Sequence, residues 1–174
     1  MAALATTADL ALWLQMDESA LPAGAPSALE MVSDIVRAEA RQSFVRTTTT
    51  FTTYALDGYV HLPQRPIVSV DSVTYEGGAQ VDWKPFNDRL YVGYQTEPLT
   101  VTFTHGYSAV PGDVKAVVLA ATARVLGNPH DLRQETVGSV SVTYAAETIG
   151  ASLSPADKDM LARYRRRIAV TRLV

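Results

Sequence analysis

His61, His105 and His130 are the only histidines in this 174-residue sequence. Histidine can act as a general base, a proton shuttle or a metal ligand. A zinc site of the helical kind needs ligands at short spacing, as in H-E-x-x-H, and none of the three sits in such a pattern. Cysteine is absent, which excludes disulfides, thiolate metal sites and a cysteine nucleophile. The stretch "GSVSV" from Gly138 lacks the second glycine of a G-x-S-x-G elbow, and no glycine-rich phosphate loop occurs. Asp71, Glu76, Asp82 and Asp88 fall near predicted turns, where carboxylates are solvated. A glycosidase would need two of them facing each other across a cleft, and their spacing requires no such pair. His105 closes an alternating apolar run, which predicts a partly buried ring bonded near a turn rather than a catalytic base. The expectation is therefore no catalytic residue, no cofactor and no metal. The densest charge is Arg163, Arg165, Arg166 and Arg167. It suits either the negative end of a helix dipole or contact with phosphate or an acidic partner.

Composition frames what such residues can do. Hydrophobic residues make up 47% and charged residues 19%, with a net charge of −3. That is a globular balance, and it is not the balance of a general polyanion binder. The length predicts one domain over residues 1–174. No apolar run approaches the roughly 20 residues of a membrane helix, so no membrane partner is expected. The N-terminal apolar stretch has no preceding Lys or Arg and is interrupted by Asp9. It reads as an amphipathic helix rather than a signal peptide, and a soluble protein made in the cytoplasm is expected.

The elements follow from periodicity and punctuation. Thr6 and Asp9 form a capping box opening a helix to Met16. Ser27 and Glu30 predict a second box, opening a helix buried along Leu29, Val32, Ile35, Val36 and Ala40. From Val45 the period falls to two: "VRTTTTFTTY", "YVHLP", "IVSVDSVTY", "QVDWK", "RLYVG" and "LTVTFTH" read as short strands. Pro63 and Pro66 belong at an edge or a strand start, and Gly77-Gly78 signals a hairpin. Gly106 is expected to adopt a backbone angle that other residues resist. Val114, Val117, Val118, Ala121 and Val125 mark a helix stopped by Gly127 and Pro129. The segment 136–144 alternates again and reads as an extended strand without a local mate. Ser154, Pro155 and Asp157 open a last helix, and the end of the chain is apolar and strand-like. The fold class expected is α+β: several helices packed around a small antiparallel β-sheet, with an extended arm between the last two helices.

Several stretches in this order carry a resemblance. They are the N-terminal helix pair, "VHLPQRPIVSVDSVTYEGG" with its L-P-x-R-P-I/V-x-S-V shape, "VTFTHGYSAVPGDVKAVVLAATARVLGNP", "ETVGSVSVTY", and a final helix ending in "LARYRRR". Together they span residues 5–167 and resemble the head-to-tail connector (adaptor) family of tailed double-stranded DNA bacteriophages. The segment beyond Arg167 is less typical of it. The resemblance implies a structural virion protein without catalysis, made in the bacterial host cytoplasm. It implies a homo-oligomeric ring of about twelve copies, docked under the portal protein. The ring would extend the DNA channel, near the duplex but without sequence-specific contact, and offer a platform to the next neck, stopper or tail protein.

Three surfaces are expected to serve that role. Residues 132–147 form an arm onto the adjacent subunit, with Val137, Val140, Val142 and Tyr144 at the interface. Residues 168–174 dock on the portal through Ile168, Val170, Leu173 and Val174. Arg163, Arg165, Arg166 and Arg167 supply electrostatic contact to portal or DNA. The rival readings are a neck stopper or tail-completion protein, a carbohydrate- or peptide-binding module using Tyr54, Tyr59, Trp83 and Tyr91, and a hydrolase using His105 with an Asp.

Overall fold

The computed structural model describes residues 2–128, 134–137, 140–143 and 152–165. The helices are α1 (Thr7–Leu14), α2 (Ala25–Ala40), α3 (Gly112–Gly127) and α4 (Pro155–Ala162), with a 3₁₀ turn at Glu18–Ala20. The strands are β1 (Thr47–Thr53), β2 (Tyr59–His61), β3 (Ile67–Tyr75), β4 (Lys84–Phe86), β5 (Arg89–Tyr91), β6 (Leu99–His105), β7 (Gln134–Val137) and β8 (Val140–Thr143). The class is α+β, as the periodicities predict. In place of one small sheet there are two three-stranded antiparallel sheets and a separate two-stranded one. The chain divides into two compact units, one of residues 1–42 with 110–174 and one of residues 43–109.

The first unit is helical. Both predicted capping boxes at its ends form: Thr6 with Asp9 opens α1, and Ser154 with Asp157 opens α4. Each cap of this kind stabilises its helix by about 1 kcal/mol. The box predicted at Ser27 does not form. The helix begins earlier, with Gly24 as N-cap and Pro26 in the first turn, where a missing N–H costs nothing. Leu29, Val32, Val36 and Ala40 are buried as expected, and Ile35 is only half-buried. Arg37 is buried on the same helix. Its guanidinium pairs with Asp34 at 2.8 Å and donates to the Ala2 carbonyl. Ser33 accepts from the Leu4 amide at 2.9 Å and donates to the Leu29 carbonyl at 2.6 Å. The chain before α1 is thereby held against α2. Val114, Val117, Val118 and Ala121 of α3 are buried, joined by Leu119 and Thr122.

The second unit holds the two larger sheets, ordered β1-β6-β3 and β2-β5-β4. Strict alternation in β6 buries Leu99, Val101, Phe103 and His105. Val60 and Leu90 from the other sheet join the same apolar cluster, with Leu62, Val73, Val81 and Val92. Each fully buried Val, Leu or Phe contributes about 1.5–3 kcal/mol of hydrophobic free energy. That cluster draws residues of both sheets into one core. Pro66 immediately precedes β3, and Pro85 sits in the edge strand β4, both positions that need no ladder donor. Gly106 has φ +93°, and a Cβ there would lie 2.3 Å from the Val45 carbonyl oxygen. Only glycine fits that turn.

Residues 134–143 correct the expectation of a strand without a mate. β7 and β8 pair antiparallel, from Gln134↔Thr143 to Val137↔Val140. Gly138-Ser139 lies between them in sequence, a pair that favours a two-residue hairpin, and the even alternation over 136–144 masked that signal.

Candidate functional site

The residues that could have carried chemistry are placed apart. His105 is buried at 1% exposure. Its Nε2 lies 2.9 Å from Thr49 Oγ1, and its ring packs against Phe103 with centroids 5.0 Å apart. Burial pushes its pKa below the ordinary histidine value. No carboxylate bonds the ring among the described residues, so the His-Asp pairing is not assembled there. His61 lies exposed on β2, and His130 lies outside the described residues. No group of three metal-capable side chains gathers among the described residues. Asp88 pairs with Arg65. Asp71 accepts from Ser69 at 3.0 Å and from Thr104 at 3.3 Å. Glu76 and Asp82 are exposed.

The described arginines of the C-terminal cluster are exposed yet paired with acids of the same chain. Arg163 pairs with Asp113 at the start of α3, and the Tyr164 hydroxyl donates to the same carboxylate at 2.8 Å. Burial alone would raise the pKa of Asp113; the Tyr164 and Arg163 hydrogen bonds outweigh it and hold the carboxyl below its usual range. Arg165 pairs with the Glu39 carboxylate and donates to the Glu39 carbonyl at 3.0 Å, near the end of α2. These two arginines therefore tie α4 to α3 and α2, a use that sequence spacing did not reveal because the acids lie 50 and 126 residues away. Arg124 and Asp157 add a third tie at 2.5 Å. Arg166 and Arg167, the predicted docking residues Ile168, Val170, Leu173 and Val174, and the interface residue Tyr144 lie outside the described residues. Val137, Val140 and Val142 fall on the β7–β8 hairpin, two of them forming the last pair of its register, Val137↔Val140.

What the described residues offer instead are surfaces. On the outer face of β1-β6-β3, register brings hydroxyls into three ranks: Thr48, Thr104 and Ser69; Thr50, Thr102 and Ser72; Thr52, Thr100 and Thr74. The β1–β6 pairs bond hydroxyl to hydroxyl at 2.9, 2.8 and 3.1 Å. The outer face of β2-β5-β4 differs. Cross-strand register places Tyr59, Tyr91 and Lys84 in one rank, and His61, Arg89 and Phe86 in the next. The Arg89 guanidinium lies 4.7 Å from the Tyr59 ring centre and 5.2 Å from that of Phe86. Of the aromatics considered for a binding module, Tyr54 and Tyr91 are well exposed, and Tyr59 and Trp83 half-buried. Among the described residues no helix is long and apolar enough to cross a membrane.

No protein-family model and no curated protein matches this sequence. Solved structures do share the fold. One is a chain from the neck of an empty GTA particle computed with C6 symmetry: TM-score 0.62, 15% identity, covering 98% of this chain and 94% of that one. A second, from the neck of a native GTA particle computed with C12 symmetry, gives TM-score 0.57 at 15% identity over 96% and 94%. A third, from the virion of a native gene transfer agent particle, gives 0.60 at 14% identity over 97% and 92%. This chain thus shares its fold, over nearly its full length, with chains from gene transfer agent neck and virion structures.

Proposed function

We propose that this chain is a structural neck protein of a tailed, virus-like particle. Copies of it form a ring beneath the portal, of the order of the C12 symmetry in the neck of the native GTA particle, extending the DNA channel toward the tail. The observation that carries this reading is the near full-length likeness to chains from such necks. The role is assembly rather than catalysis, in keeping with a histidine locked in the core and with Asp88 and Asp113 engaged in ion pairs. The β7–β8 hairpin is the arm toward the adjacent copy. A sheet of only two strands is marginal in water, and neither outer edge meets another described strand. The C-terminal residues 168–174 dock on the portal, as their apolar, strand-like character suggests.

The test is to mix the purified protein with portal-bearing capsids and image the particles. Rings coaxial with the portal vertex are expected. Absence of any ring on the portal, with the protein at high concentration, overturns the proposal.

A further inference from the structure

Two surfaces of opposite character keep large apolar side chains exposed, one on each unit. On the first, α1 buries Leu10 and Ala11 yet leaves Leu12 79%, Trp13 49% and Met16 42% exposed. A short helix apolar on both sides is one that packs on two sides. The sequence around it is acidic, although Asp9 is already paired with Lys115 and Asp34 with Arg37. Residues 1–36 contain Asp9, Asp17, Glu18, Glu30 and Asp34 and no Lys or Arg. Asp17 and Glu18 directly follow Met16 and are exposed. The second surface is the outer face of β2-β5-β4. Phe86 is 47% and Tyr91 44% exposed there. Lys84 and Arg89 share that face by register, and neither is in an ion pair among the described residues. No carboxylate occupies a register position on this face.

We propose that α1 of one copy packs on the outer face of the β2-β5-β4 sheet of another copy. Leu12, Trp13 and Met16 cover Phe86 and Tyr91, while Asp17 and Glu18 meet Lys84 and Arg89. The occupant is a second copy because this one chain carries both halves: apolar with acid on one unit, aromatic with base on the other. Such complementarity selects a partner and fixes its register. The contact joins different surfaces, so it is head-to-tail, the class that closes into rings or grows as filaments. It deepens the ring reading above and rests on it for the closed form. The aromatic anchors follow the usual pattern of interface cores.

The absence of cysteine makes the contact directly testable. Chains carrying Met16→Cys are mixed with chains carrying Lys84→Cys at high concentration and oxidised. The mixed disulfide is expected in about tenfold excess over either homodisulfide, and that excess is lost when Trp13→Glu is added to the Met16→Cys chain. A statistical mixture, a dominant homodisulfide, or no cross-link overturns the proposal. A second measurement guards against a variant that misfolds. Trp13→Glu and Phe86→Glu, each confirmed folded by circular dichroism, should each fail to self-associate in sedimentation. Their mixture should form one-to-one pairs and stop, because each retains one working face. Failure of the mixture to pair sinks the contact. Pairing without any portal binding sinks the neck reading and leaves the contact standing.

Discussion

The Nε2 atom of His105 meets the Oγ1 atom of Thr49 at 2.9 Å across the β1–β6 pair, at the position where the two strands enter the core. Burial holds the ring's folded-state pKa below the unfolded value of 6.5, favouring the neutral form. Above that value neither state binds the proton, and the stabilising arrangement is complete. As pH falls below it, the unfolded chain takes up the proton first, so stability declines. The urea midpoint should drop as pH falls below about 6.5, starting above the range where Asp9 and Asp113 begin to lose their own contribution. A His105→Asn variant should flatten that dependence. An unchanged slope in the variant would assign the effect to other groups.

Gly106→Ala should destabilise the second unit by roughly 2–3 kcal/mol, the cost of a strained positive φ. The added methyl also meets backbone, the Val45 carbonyl, rather than a side chain that can swing away. Denaturant unfolding measures it. A change under about 0.5 kcal/mol, typical of surface sites, would mean that the turn relaxes.

Asp157 has two tasks: it caps the amide of Ser154 and holds Arg124. Asp157→Ala should cost about 2–3 kcal/mol, below the full range for a buried pair because Arg124 is partly exposed. Ser154→Ala, which removes only the cap, should cost about 1 kcal/mol. Hydrogen exchange along α4 should rise in both, more in the first. Equal effects would show that the ion pair adds nothing.

Truncation after Arg167 should leave thermal unfolding unchanged while abolishing portal binding. If Arg166 and Arg167 steer that docking, the on-rate of the full chain should fall as salt is raised. Portal binding that survives truncation would place the docking surface elsewhere.

How far the sequence led depended on the range of each interaction. The capping boxes at Thr6 and Ser154 are three-residue patterns, and both formed. The burial of Leu99, Val101, Phe103 and His105 needed only a period of two. The start of α2 was misplaced because Pro26 provides a competing signal one residue before Ser27. Burial of Arg37 was invisible because one of its partners is the carbonyl of Ala2, 35 residues away. The split into two sheets was likewise hidden. β6 joins β1 and β3 rather than its sequence neighbour β5, and nothing local encodes that choice. The aromatic–basic face on β2-β5-β4 emerged only when register brought Tyr59, Tyr91, Phe86 and Arg89 together.

The threonine ranks on β1 and β6 have a consequence of their own. Each outward hydroxyl of β1 is already bonded to its mate on β6. Each such bond uses one hydroxyl hydrogen and one lone pair, so the pair turns mostly acceptor lone pairs outward. That wall therefore greets a visitor with fixed acceptors in ordered rows and few hydrogens to offer in return.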